Sequence, residues 1–152
     1  MKYLFGPLTS LLEVTEDLTV EGSLDEGAKV ASGCTLFVSG SLSGKLQIGE
    51  SARVIVFGLF DAMAENNRGI LFIAGALATP IEIVPGEVLV AAITSVAVAD
   101  RTALVDNSGQ LVSPLKLTTL SLMPSAWRWD REAGRFVAAP PGLVDGFLHL
   151  YP

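Results

Sequence analysis

Apolar residues recur along this chain with a period that belongs to neither an α-helix nor an ordinary strand. Leu12, Leu18, Leu24, Val30, Leu36, Leu42, Ile48, Val54 and Phe60 stand six residues apart, and Leu71, Leu77, Ile83 and Leu89 resume the spacing. The interval from Phe60 to Leu71 is eleven rather than twelve, so one residue is missing from the polar stretch DAMAENNRGI, which reads as a corner loop. A helix would bring its apolar face round every three or four residues. Six fits a short strand, a bend and another short strand. Two positions before the repeat residues lie Gly22, Ala28, Cys34, Gly40, Ala52, Gly58, Gly69 and Gly75, with the larger Glu16, Leu46, Ile81 and Glu87 among them. Residues i and i+2 of a strand share a face, so these small residues are expected to point inward, where the chain bends and the interior narrows. Glu21, Ser23, Asp25, Lys29, Ser39, Ser41, Lys45 and Arg53 then face outward.

Three such units make a coil of 18 residues. LFGPL, VEGSL, VSGSL, VFGLF and IAGAL share an apolar-x-Gly-x-apolar pattern, and their glycines Gly6, Gly22, Gly40, Gly58 and Gly75 follow one another at 16, 18, 18 and 17 residues. Equivalent residues are therefore expected to stack in successive coils, with strands paired in parallel and inward side chains in ladders. The predicted fold is all-β: a single-stranded parallel β-helix, or solenoid, with triangular coils of about 17–18 residues. A β-sandwich would need variable loops and would not hold this register from residue 12 to residue 60.

Beyond Leu89 the period decays. VLVAAITSVAVA remains strand-like, and Gly109 with Leu111 marks a possible further coil. Residues 112–152 differ in character: they hold Pro114, Pro124, Pro140 and Pro141, both tryptophans and the turn signal DREAG between strand-like AWRW and RFVA, which predicts a hairpin. VDGFL at 144–148 echoes the coil motif. Because a solenoid exposes apolar ladders and unpaired strand edges at its two ends, residues 1–111 are assigned to coils and residues 112–152 to an irregular C-terminal cap or hairpin.

The stretch from Val20 to Gly58, with its V-x-G-x-L steps and the phrase IGESARV at 48–54, resembles bactofilins, the polymer-forming cytoskeletal family of bacteria. The resemblance covers about residues 12–90. It implies a right-handed triangular β-helix that assembles end to end into filaments without nucleotide. The tryptophan-bearing tail is foreign to that family, and an ordered cap would cover one polymerising end. The six-residue period is similar also to the hexapeptide-repeat acyltransferases, which form left-handed β-helices and use a histidine presented by a coil or loop.

Composition adds constraints. Half of the 152 residues are apolar and 17% are charged, which supplies ample core and thin polar cover. No apolar stretch reaches the ~18 residues of a membrane helix. The first residues gain Glu13, Glu16 and Asp17 at once and read as folded chain rather than an export signal. The lone Cys34 suits a reducing compartment, so a cytoplasmic location is expected. Residues 1–112 carry 13 acids and 6 bases, while residues 113–152 carry 3 and 4. An acidic body disfavours nucleic acid and anionic membranes as partners; it serves solubility, and it also suits a basic partner protein.

Candidate chemistry is sparse. The sole histidine, His149, lies near the end of the sequence, where an edge or cap role is the expectation; it would be the only base for an acyltransferase. Cys34 occupies a small inward slot and reads as buried core. The pairs Glu16–Asp17 and Asp25–Glu26 are adjacent, so each splays at a corner, and no phosphate-cradling motif is present. No catalytic, cofactor or metal residues are assigned. Trp127, Arg128, Trp129, Arg131 and Arg135 form the one cluster with the composition of a protein-binding site, although the tryptophans would serve equally to cover the open end. The function expected is a non-catalytic scaffold or interaction protein that associates with itself. A small acidic immunity or inhibitor protein directed at a basic toxin is the alternative, and a hexapeptide-type acyltransferase ranks third.

Overall fold

A computed structural model describes residues 2–91, 94–98, 101–106, 108–113 and 126–139. The short strands that the six-residue period predicts are present and wind into a β-solenoid of about five turns. One face is a parallel stack of β1 (Lys2–Phe5), β3 (Leu18–Glu21), β5 (Thr35–Val38), β7 (Arg53–Val56), β9 (Ile70–Ile73) and β11 (Glu87–Ala91). The other strands of the coils are β2 (Leu12–Val14), β4 (Gly27–Val30), β6 (Leu42–Ile48), β8 (Leu59–Asn67), β10 (Ala76–Leu77) and β12 (Ser95–Val98), which form a second parallel stack. That second sheet turns a corner and supplies two faces. Leu8, Leu24, Leu42, Phe60, Leu77 and Val96 stack on one, and Val14, Val30 and Ile48 on the other. No helix among the described residues is long and apolar enough to cross a membrane.

The ladders make the core. Val20, Val38, Val56, Ile73 and Val90 are stacked in register and fully shielded, as are Leu24, Leu42, Phe60 and Leu77 on the next face. Each fully buried aliphatic side chain contributes about 1.5–3 kcal/mol relative to exposure, and each ladder is continuous, so the loss is shared by two neighbours when one member is removed. The expected outward residues Glu21, Asp25, Lys29, Ser39 and Lys45 are exposed, and Ser23, Ser41 and Arg53 are half-buried.

The register departs from the sequence period at identifiable places. Lys2 pairs with Leu18, a step of 16 residues, whereas Leu18 pairs with Leu36, a step of 18. In consequence Leu12 stacks with Ala28, Leu46 and Ala64, and Val14 takes the place above Val30 and Ile48. The residue missing after Phe60 is not lost in a corner loop, because 61–67 belong to the nine-residue strand β8. Pairing runs Leu46 with Ala64 and then Gln47 with Asn66, so Glu65 is an extra residue in a β-bulge. Ile48 then pairs with Asn67 and Arg53 with Ile70, so the following corner is two residues shorter. One residue gained and two removed give the net deficit.

Further along, Ile83 is exposed rather than inward, because the chain passes through a 3-10 turn, η1 (Ile81–Ile83), that buries Ile81 and Val84 instead. Leu89 is buried, but on the outer side of β11, with Val88 and Val90 inward.

The recurring glycines obey a steric rule different from the expected narrowing of the interior. A Cβ on Gly40 would lie 2.4 Å from the carbonyl oxygen of Gly22, one on Gly58 would lie 2.3 Å from that of Gly40, and one on Gly75 would lie 2.2 Å from that of Gly58. Their missing side chains would point along the stack into the backbone of the preceding coil. Only glycine lets consecutive coils approach at this corner. At the corner before β5, Cys34 is half-buried against the core rather than fully enclosed, and its thiol is free.

Parallel stacking stops at β12, before the boundary expected at residue 111. β13 (Arg101–Val105) and β14 (Leu111–Val112) continue the second sheet antiparallel. Gly109 sits in their connecting turn with φ +82, not in a further coil. The hairpin predicted around DREAG forms from β15 (Ala126–Asp130) and β16 (Arg135–Ala138), and β15 adds antiparallel to β11. The VDGFL echo and His149 lie outside the described residues.

Candidate functional site

The two ends of the solenoid are the places where its regular pairing meets something else, and they are built differently. At the C-terminal end, Val90 pairs with Trp127, so both side chains lie on the interior side of the sheet. Trp129, two residues on, shares that side and is buried against the core with Phe136, its partner across the hairpin. The two rings meet edge-on at 5.0 Å and 64°, a favoured aromatic geometry. The Trp127 ring lies over the β13–β14 turn, where a Cβ on Gly109 would come within 2.5 Å of Cε3. The turn itself is fixed by Asp106, whose carboxylate accepts hydrogen bonds from the Ser108 hydroxyl and from the Ser108 and Gln110 N–H groups. The Ser108 hydroxyl, and then the Gln110 N–H, hold the Asp106 carboxyl below its ordinary value.

The hairpin therefore distributes the five residues of the predicted binding cluster over different surroundings. The tryptophans face the core. Arg128 lies on the opposite side, opposite Leu89, with its Nε 3.7 Å from the Glu87 carboxylate. Arg131, in the turn, donates through Nη2 to the carbonyls of Val84 and Gly86, the latter at 2.8 Å, and so ties the hairpin to the chain following η1. Arg135 is exposed at the start of β16. Asp130 closes the turn by accepting from the Glu132 and Ala133 N–H groups.

The N-terminal end has no such cover among the described residues. β1 and β2 are the outermost strands of their sheets. Lys2 and Gly6 direct their N–H groups to Asp17 and Glu21 on the next coil. Alternation along a strand turns the backbone groups of Tyr3 and Phe5 the other way, toward the open edge. Their side chains are 59% and 78% exposed, and Leu11 on the same coil is 50% exposed. Leu4, Leu8 and Leu12, which top the interior ladders, are half-buried, whereas Val20, Leu24 and Ala28 one layer below are 0–1% exposed. Sequence reasoning did not single out Tyr3, Phe5 or Leu11. The signal was available in KYLF, where the alternation of an edge strand places aromatic residues on the outward positions.

A furrow of about 570 Å³ crosses the third face between Leu11, Lys29, Lys45, Gln47 and Glu65. Its polar groups bridge adjacent coils: Gln47 donates to the Glu65 carboxylate at 2.9 Å, and Lys45 lies 3.7 Å from it. Among the described residues no group of three or more His, Cys, Asp or Glu side chains is placed to hold a metal ion.

Comparison of the chain with protein-family models, with curated proteins and with solved structures finds no match. The class that the fold defines is the β-solenoid, and the geometry of its ends is what bears on function.

Proposed function

We propose that this chain is a non-catalytic scaffold or interaction protein of the reducing cytoplasm that associates with a second copy of itself through its N-terminal coil. The observation that carries the reading is the asymmetry of the ends. One is finished by antiparallel strands and a tryptophan hairpin, and the other presents Tyr3, Phe5 and Leu11 beside an unextended strand edge. Exposed edges recruit strands, and a second copy brings the same edge and the same apolar side chains. A filament of bactofilin type needs two open ends; with one, assembly stops at a pair.

Glu13, Glu16 and Asp17 are exposed near the contact, with Lys2 3.5 Å from Glu16. Two copies therefore approach with like charge, and salt strengthens the pair by screening it. The test is sedimentation equilibrium over a range of concentrations and salt. The mass is expected to rise from one chain to two and no further, more readily at high salt, and to remain that of one chain for the Tyr3→Asp/Phe5→Asp double variant. A single-chain mass at every concentration and salt level overturns the reading.

A second reading, an inhibitor of a basic partner, draws on the exposed acids Glu13, Glu16, Asp17, Glu21, Asp25 and Glu26 of the first coils. It makes the opposite salt prediction: attraction between unlike charges weakens as salt rises.

A further inference from the structure

The exposed apolar residues of the first coil are not scattered around it. Tyr3 lies between Lys2 and Leu4, which stand above the buried Leu18 and Val20, so it occupies the middle of the first face on the outer side. Leu11 precedes Leu12, which stacks on Ala28, and therefore stands above Gly27. Gly27 and Gly44, with φ +92 and +83, mark the corner at which the second sheet turns, and that corner lies across the interior from the first face. Leu11 comes eight residues after Tyr3 and eight before Thr19, the residue beneath Tyr3 in the next coil. A line from Tyr3 to Leu11 thus bisects the coil, and both of its ends are exposed apolar side chains.

A surface that binds its own copy does so about a two-fold axis. An axis running along β1 would keep the two strands parallel but would set the inward side of one sheet against the outward side of the other. An axis normal to the first sheet keeps Leu4 of both copies on the interior side and makes the two β1 strands antiparallel. The Tyr3–Leu11 line has that direction. Rotation about it sets Tyr3 against Tyr3 of the second copy, and Tyr3 is a residue whose backbone groups face the edge, so the two exchange N–H and C=O bonds. Leu8 and Val14 lie three residues before and after Leu11, so each half-buried Leu8 is brought over Val14 of the second copy.

We infer, on the basis of the self-association proposed above, that the pair is two-fold symmetric about the line from Tyr3 to Leu11, with β1 joined antiparallel to β1 at Tyr3 and the two first sheets continuous. The second sheets do not join. A coil advances about 4.8 Å per turn, so its far corner lies about 2.4 Å lower than Tyr3 in each copy, and the two corners stand about 10 Å apart. That is the spacing of facing apolar side chains, not of paired strands, and Leu11 of each copy is placed to fill it.

Cross-linking of the full chain tests the position of the axis. In a Cys34→Ser background, Tyr3→Cys places two thiols on paired residues about 5.5 Å apart at Cα, within disulfide reach. Phe5→Cys, two residues off the axis in each copy, separates them by about 14 Å. In a glutathione redox buffer Tyr3→Cys is expected to give a covalent pair in several-fold higher yield than Phe5→Cys. Equal yields, or a higher yield from Phe5→Cys, place the axis elsewhere and overturn the inference. Amide hydrogen exchange of the parent chain is independent of these variants. The Tyr3 N–H is expected to exchange several-fold more slowly at concentrations where sedimentation gives the mass of two chains. An unprotected Tyr3 amide in a chain whose mass has doubled overturns the geometry and leaves self-association standing, whereas a mass that never doubles removes both.

Discussion

The first and last coils of this solenoid face the same physical problem and meet it in opposite ways. Each ends a stack of apolar ladders and leaves a row of backbone groups without a next strand. At the C-terminal end the chain reverses direction, so β13 and β15 add antiparallel strands to the two sheets, and Trp127, Trp129 and Phe136 close the interior. Val88 and Val90 beneath them are completely shielded. At the N-terminal end, Leu4, Leu8 and Leu12 remain half-buried with aromatic neighbours exposed. A repeating coil cannot terminate itself, because every coil presents the surface that its successor covers. Only a segment that breaks the repeat can stop it, and the described chain breaks the repeat at one end.

If the difference between the ends is real in energy as well as geometry, substitutions should report it. The largest effect is expected for Trp129→Ala, which removes a buried ring from the cap: about 3–5 kcal/mol of stability in urea unfolding. A loss below about 1 kcal/mol would mean that the hairpin contributes little to closing the core. Arg131→Ala deletes the donor to the Val84 and Gly86 carbonyls and should cost about 1–2 kcal/mol, since the guanidinium is exposed and water replaces part of what is lost.

The Asp106 turn gives a smaller, pH-dependent contribution. Hydrogen bonds to its carboxylate lower its folded value, so the turn's stabilisation is fully present above the ordinary carboxylate range. It fades as pH falls through that range toward the lowered value. Asp106→Asn should flatten this part of the acid unfolding profile, and an unchanged profile would remove Asp106 from the account. The smallest change in stability is expected at the open end. Phe5→Asp should leave the unfolding free energy within about 0.5 kcal/mol, as for other exposed sites, while weakening self-association. A destabilisation comparable to that of Trp129→Ala would show that the first coil is finished internally after all.

Much of the fold was legible because a solenoid writes its tertiary contacts into a local period. Leu18, Leu24, Val30, Leu36, Leu42, Ile48, Val54 and Phe60 recur at six residues and all are buried in the ladders. The hairpin around Asp130–Gly134 was legible from its turn residues. The slips were not: a bulge at Glu65 followed by a shortened corner leaves the same net spacing as a single deletion. The glycine column was visible as a pattern, but its cause was hidden, since the clash that it avoids is with the carbonyl of another coil. The candidate site was less legible than the fold. The five residues of the predicted cluster lie within nine positions of the sequence, yet strand alternation and the hairpin send the tryptophans to the core and the arginines elsewhere.

The sequence by itself determined the coil length and the inward ladders from Leu18 to Phe60. Those follow from residues near one another along the chain. Which side of β11 Leu89 occupies, how the stack is closed at β11 and β12, and which end lacks such a closure among the described residues were decided only in three dimensions. They depend on the register between segments some 17 residues or more apart, and a shift of one residue in that register exchanges inside for outside.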